Sequence, residues 1–490
     1  MSMRVKRFLP VALCLCLVGG FARLFAAGSL TPEEIVKSTI VKLDMGAFPR
    51  DPGPDYKVPG RAWHVSPKGN DEGQGDEATP LRTIAKAIEL AQPGDKVVVH
   101  AGRYQEATYE HLALELRKDN LVLTAAPGEV VTVAARPGEK YGIDVAANGV
   151  VINGINLEGF ETGIGINAGE GKTCKNLVIT NLRVTMKPGV FTDGICAFGD
   201  NRSVPGKPAN LDGFLLRNVT VENVCLGVSC NAGPCRNWWL DNVTVRGTHG
   251  GGDTGADCIA IEEGDNILIT GADVSGADGD GIDTKATRVV VMNSRVTNVA
   301  RNGIKFWHEC DVINTIVDGS DADAAVVFEA PGTYRLLHCL IAHHNWTDKA
   351  SAYVLAAGYD ATGNFDITIA NTIFFEHSDG GLFLPAGGKV RVLNCLFSRM
   401  GVKAFEHGHE KSFDFSGGTD VFAQAGVGGG NIVTDDPGLQ LPKPGELRVG
   451  DKSPVIDAGV KLDGPIPDKD MMGKPRLQGS APDLGPYELH

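Results

Sequence analysis

Three phrases in the middle of the chain superimpose, and their spacing fixes most of what it can fold into. They are Ala256-Asp257-Cys258-Ile259-Ala260-Ile261-Glu262, Gly279-Asp280-Gly281-Ile282-Asp283-Thr284-Lys285 and Arg301-Asn302-Gly303-Ile304-Lys305-Phe306-Trp307, offset by 23 and 22 residues. Runs such as Arg288-Val289-Val290-Val291 and Phe365-Asp366-Ile367-Thr368-Ile369 are short and β-branched. A repeat of this length built on such runs describes a solenoid coil of short strands. Helical repeats would show a 3.6-residue period instead. Stacked coils bring equivalent residues about 5 Å apart.

The same period recurs in an (I/V/L)-x-Asn-x-x-(V/I/F) pattern at Asn181, Asn218, Asn242, Asn293, Asn314, Asn371 and Asn394, with Gly154, Gly271 and His338 in the same slot. Intervals of 24, 22, 21 and 23 residues mark single coils, and 37, 29 and 33 imply loop insertions. Asparagine tolerates the left-handed conformation of a sharp turn and can hydrogen-bond to its copies above and below. The expected fold is therefore all-β, a single-stranded parallel β-helix of about ten coils, and the Asn ladder is structural.

Glycine at 63 residues and aromatics at 7 % suit many short strands and turns. A formal net charge of −14, with no basic stripe, argues against nucleic acid. It also opposes an acidic substrate unless local cations offset it. Residues 1–27 read as a secretory signal, with Arg4, Lys6 and Arg7 before an apolar run and small residues at Ala26-Ala27-Gly28. Of 11 cysteines, Cys14 and Cys16 fall in that segment, leaving nine at wide spacing. Buried thiols are expected, with one bridge within Cys225, Cys230 and Cys235 as the alternative.

Thr31-Pro32-Glu33-Glu34 is a capping-box start for a helix through about Leu43, followed by a Pro/Gly-rich linker to Gly60. The phrases Ala62–Asp71, Thr79–Ile88 and Pro93–Tyr104 then read as strand, helix, strand, with Leu81, Ile84, Ala87, Ile88 and Ala91 on one helical face. A helix over the first coil would cover its open strand edge. These phrases resemble the amino-terminal cap of secreted right-handed parallel β-helix proteins, many polysaccharide lyases among them. From Asn431 onward the text resembles the closing segment of the same proteins. The expected division is a signal at 1–27, a helix and linker at 28–60, the β-helix with its amino-terminal cap at 61–430, and a carboxy-terminal cap at 431–490. Insertions at 197–211 and 246–255 enter beside the repeated charged phrases, where loops commonly wall a ligand groove.

Alternation along the strands sends Ile259, Ile261, Ile282, Thr284, Ile304 and Phe306 inward. Asp283, Lys285, Lys305 and Trp307 face out, with Asp283 beneath Lys305 and Glu262 beneath Lys285. Asp257 and Asp280, at the strand starts, can converge with Asp283 on one cation, with Asp278 as a fourth ligand. Ca²⁺ takes roughly six to eight oxygens, of which three carboxylates supply about half. Cleaving a uronic-acid polymer by β-elimination requires a cation to neutralise the carboxylate, a base for the adjacent carbon acid, and a proton for the leaving oxygen. Lys305 is placed as that base, and a neighbouring cation would lower its pKa.

Here a narrower resemblance emerges, to the ninth polysaccharide-lyase family of Ca²⁺-dependent pectate lyases. It implies that Asp257, Asp280 and Asp283 are metal ligands and that Lys305, in Asn302-Gly303-Ile304-Lys305, is the base. Gly279 stands where that family carries the first Asp of a doubled pair. Trp307 is a sugar-stacking candidate and Arg301 a partner for a substrate carboxylate, with His308 and Lys285 beside them. The implied partner is an acidic polysaccharide and the implied cofactor Ca²⁺. The chain is expected to act as an exported monomer.

Each of these residues alone is accounted for by structure. Lys over Asp or Glu makes a surface ion-pair ladder worth about 0–1 kcal/mol per pair, and Asp-Gly and Asn-Gly are ordinary turn dipeptides. Only the joint pattern favours a site. Two other functions compete. A glycoside hydrolase on this fold would use Asp257, Asp280 and Asp283 as acid and base, but leaves Lys305 without a task. A non-catalytic carbohydrate-binding protein would use the fold as a spacer.

Overall fold

The computed structural model describes residues 31–489 except 54–55, 107–110, 168–171, 187–191, 198–209, 231–232, 251–255, 322–323, 345–352, 359–362, 378–380, 386, 402, 408–410 and 415–419. The signal read at 1–27, most of the first insertion (198–209) and half of the second (251–255) lie outside the described residues.

Strands stack in parallel, coil on coil, as the repeat spacing requires. One face is a 13-stranded sheet whose last strand, Lys411–Asp414, turns antiparallel, leaving twelve parallel strands against the ten or so coils inferred from the intervals. The other two strands of each coil merge into a 24-stranded sheet. Ile259, Ile282 and Ile304 pair in register, as do Ala260, Asp283 and Lys305, so the three phrases superimpose as their sequences align. The inward residues Ile259, Ile261, Ile282, Thr284, Ile304 and Phe306 are buried. An Ile→Ala change in such a column costs about 2–5 kcal/mol.

All ten residues of the Asn pattern have φ between 47° and 72°. Asn181, Asn218 and Asn242 hand their side-chain amides down the ladder, each Nδ2 donating to the Oδ1 below at 2.8, 3.0 and 2.7 Å, with Asn153 at the foot. These bonds satisfy polar groups along the corner, and they give the ladder its structural role.

Helix α1 (Pro32–Ser38) starts on the expected capping box but ends five residues short of Leu43. The amides of Ile40 and Val41 are taken by the Asp311 Oδ2, at 2.7 and 3.1 Å, so the chain continues as a strap along the solenoid flank. Helix α2 (Ile84–Leu90) covers the first coil, burying Ile84, Ala87 and Ile88 against Val65, Val97 and Val99. A short helix, α3 (Val421–Gln424), closes the far end, Phe422 stacking on Phe397 at 4.8 Å. The segment after it runs back along the flank: Leu439, Val455, Met471 and Leu484 pack on Ile316, Leu340, Ile373 and Leu396. Cys230 and Cys235 form a disulfide, and the other seven described cysteines are buried thiols.

Candidate functional site

The strand starts of the three phrases form a second ladder. Asp257 Oδ1 accepts the Asp280 amide at 2.7 Å, Asp280 Oδ1 accepts the Asn302 amide at 2.8 Å and its Nδ2 at 3.0 Å, and Asn302 Oδ1 accepts the Ala324 amide at 3.3 Å. One oxygen of each Asp is thus engaged in holding coil to coil, and the other remains for chemistry. Gly279 is what makes this fit. A Cβ there would lie 2.3 Å from Asp257 Oδ1 and 2.5 Å from the Ala256 nitrogen, so the doubled Asp of the resembled family is sterically excluded.

Asp283, three residues beyond Asp280 and facing out, leaves Oδ1 buried without a hydrogen-bond partner. All three carboxyls are held above the usual range. Burial raises Asp257 to about 7, helped by the charge of Asp280. Burial and Asp280 raise Asp283 to about 6 against the opposing charges of Lys305 and Lys285. Burial also raises Asp280, opposed by the Asn302 amide and the charge of Lys305. The three carboxyls interact and titrate as one coupled group.

Lys305 is half-buried, and its Nζ lies 3.0 Å from Glu329 on the next coil. Burial alone would lower its pKa, but the hydrogen bond to Glu329 and the charges of Glu329, Asp283 and Asp280 outweigh it and raise it. The lowering expected of a neighbouring cation would act against this pairing. Lys285 pairs with Glu262 as the alternation implied. Trp307 is half-buried, with the Lys305 and Lys285 ammoniums 5.2 and 5.4 Å from its ring centre, and its buried Nε1 has no hydrogen-bond partner. Both ammoniums stand over the ring, so Trp307 presents its face to two cations. Arg301 is exposed, and its charge lowers the Asp257 and Asp280 carboxyls. His308 is half-buried on the following turn. Asp278, the suggested fourth ligand, is exposed and engaged by His249 Nδ1 and the Gly250 amide, both at 3.2 Å.

Three hard carboxylate donors and an orphaned buried Asp283 oxygen fit a Ca²⁺-like ion in kind. As they stand, no three acidic, His or Cys side chains among the described residues close on one metal position. A cation would have to draw Asp257, Asp280 and Asp283 together.

Two family models match parts of the chain: a right-handed β-helix region over residues 227–419, and a protein family of unknown function, DUF1565, over residues 67–139. A Bacillus subtilis (strain 168) protein, uncharacterized YwoF, is 30 % identical over 116 residues, which are 21 % of this chain and 24 % of that protein. The chain thus spans about a quarter of that relative. Among solved structures, the pectate lyase Pel9A is similar at 12 % identity and TM-score 0.41, covering 88 % of this chain and 97 % of that one. A lacto-N-biosidase of family GH136 from Eubacterium ramulus is similar at 10 % identity and TM-score 0.42, covering 76 % and 68 %.

Proposed function

We propose that this right-handed parallel β-helix protein is an exported, monomeric polysaccharide lyase that cleaves a uronic-acid-containing polymer at its Asp257–Lys305 face. One observation carries the reading: Asp257 and Asp280, buried at the strand starts, and Asp283, whose buried Oδ1 has no hydrogen-bond partner, stand beside Lys305, and burial raises all three carboxyls. Asp257, Asp280 and Asp283 would hold Ca²⁺, which when bound neutralises the substrate carboxylate and acidifies the neighbouring carbon acid. Lys305 Nζ, having released its proton to solvent, would leave Glu329 as a neutral amine and take the proton from that carbon. The electron pair forms a carbon–carbon double bond, the glycosidic carbon–oxygen bond breaks, and water supplies a proton to the leaving oxygen. Arg301 and Lys285 supply positive charge for further uronate carboxylates, and Trp307 offers its ring to a sugar. His308 lies within reach of the same chain. Among the described residues no helix is long and apolar enough to cross a membrane. The Cys230–Cys235 bridge supports export to an oxidising compartment.

The test is a panel of pectate, alginate, glycosaminoglycan and neutral plant glycans. A lyase generates an unsaturated uronate that absorbs in the ultraviolet, and loses that activity with EDTA or in Lys305→Ala. Activity that survives both would sink the reading. The raised Asp257 and Asp283 carboxyls also favour a second reading, a hydrolase with one of them as general acid. Reducing ends released without ultraviolet absorbance would select it. Binding with no turnover would leave a carbohydrate-binding protein.

A further inference from the structure

A second column of left-handed residues climbs the corner after the second strand of each coil. Strand register aligns Asn223, Gly247, Gly276, Asn298 and Gly319 in it, and then His343, Glu376 and Arg399. Their φ values run from 48° to 78°. Glycine and asparagine meet that backbone at least cost, and the first five coils use them. The next three coils carry His, Glu and Arg against that preference. Side chains held against the backbone's preference are where a function is worth seeking.

They form a relay. His343 Nδ1 lies 2.6 Å from Asp318 Oδ1 and its Nε2 3.1 Å from Glu376 Oε2, and Arg399 donates to the other Glu376 oxygen. Facing them is the hairpin of Leu439–Lys443 and Glu446–Val449, whose Gly445 amide donates to the buried Asp318 Oδ2 at 2.6 Å. Relay and hairpin enclose a cleft of about 630 Å³, to which the hairpin side brings Gln440, Leu441, Arg448 and Asp436. Two fixed cations, Arg399 and Arg448, offset two carboxylates, Glu376 and Asp436, so the lining has no net fixed charge to select an ion. Multidentate planar polar groups alternate with the apolar Leu439, Leu441 and Val449. That amphipathic lining suits a ligand with hydroxyl edges and C–H faces.

We propose that this cleft is a binding site for a short neutral saccharide, separate from the carboxylate face. It lies two to four coils beyond Lys305, about 10–20 Å along the axis at one strand spacing per coil, and it does not depend on the reading of that face.

The full chain without residues 1–27 would be titrated with cellotriose, xylotriose and mannotriose, and with trigalacturonate for comparison, by saturation-transfer NMR and calorimetry. At least one neutral trisaccharide binds, and Arg399→Asn and Gln440→Ala each weaken it by about tenfold or more, the loss expected of a lost multidentate hydrogen bond. Lys305→Ala leaves that binding unchanged. Arg399→Asn melts no lower than the parent, because Asn is at home at φ 53°. Should it melt lower, Gln440→Ala alone decides. No binding by any neutral trisaccharide, preference for trigalacturonate, or binding that survives Gln440→Ala would each overturn the proposal and leave the relay as a clasp for the hairpin.

Discussion

The Lys305 ammonium is paired upward, 3.0 Å from Glu329, and not downward onto Asp283, which it directly overlies in the sheet. The pairing holds the lysine charged while Asp283 keeps an oxygen buried and orphaned. Glu329→Gln removes the hydrogen-bonded charge that raises the lysine. The neutral amine then prevails at lower pH, and the alkaline-rising limb of lyase activity should move toward acid. The pair is partly exposed, so melting should change by no more than about 1 kcal/mol. A pH–rate profile followed by ultraviolet absorbance checks it, and an unmoved limb would remove Lys305 as the titrating base.

Asp257 ties stability to pH and to metal. Its folded value of about 7 lies above the unfolded carboxylate value near 3.9, so ionisation works against the fold. The contribution is fully present below about pH 4 and is lost as pH rises through about 7. At about 1.36 kcal/mol per unit the upper bound is about 4 kcal/mol, shared with Asp280 and Asp283. In EDTA the melting temperature should therefore fall between pH 5 and pH 8. Ca²⁺ should restore it more at pH 8 than at pH 5, where protons compete. Asp257→Asn, which keeps an acceptor for the Asp280 amide, should lose most of both effects. Identical melting curves in EDTA and Ca²⁺ at both pH values would remove the metal from the account.

Gly279 carries a steric prediction. Gly279→Asp places a Cβ 2.3 Å from the Asp257 carboxylate and 2.5 Å from backbone. It should destabilise by about 1–3 kcal/mol, as overpacking does. It should weaken Ca²⁺ binding, although it adds the carboxylate the resembled family carries. Calorimetric Ca²⁺ titration beside thermal denaturation checks both signs, and tighter binding would show that the Asp257 carboxylate can swing aside.

The fold was legible because coil spacing and the Asn slot are local signals repeated many times, and register then follows from aligning three phrases. The outward placement of Asp283, Lys285 and Lys305 came from strand alternation alone. Glu329 was hard to see because its partner stands 24 residues away and a single Glu carries no pattern. The amide-capping roles of Asp257 and Asp280 were hidden behind ordinary Asp-Gly turn chemistry. The corner of His343, Glu376 and Arg399 is not legible in the sequence, because residues that occupy a left-handed position against preference carry no Asn or Gly signal. Strand register up that corner from Asn298 and Gly319 would have found it.

The strap over the flank is expected from sequence as helix through about Leu43 and linker beyond, because the buried charge that takes its amides stands far along the chain. Asp311 is fully buried, its Oδ1 2.6 Å from Arg335 Nε and its Oδ2 on the amides of Ile40 and Val41, while Arg335 also donates to the Ser38 carbonyl at 3.1 Å. Asp311→Ala leaves the Arg335 guanidinium buried without its carboxylate and two strap amides without an acceptor. Breaking one side of a buried pair costs about 3–5 kcal/mol, and the loss falls on the strap because the coils keep their own ladders. Limited proteolysis should therefore cut between residues 39 and 53 in Asp311→Ala and spare the parent, while far-ultraviolet circular dichroism stays that of a β-helix. Equal resistance in both proteins would show that the apolar contacts of Ile35, Val41 and Phe48, with the hydrogen bonds of Asn266 to Asp44 and Arg288 to Lys42, hold the strap without the charge.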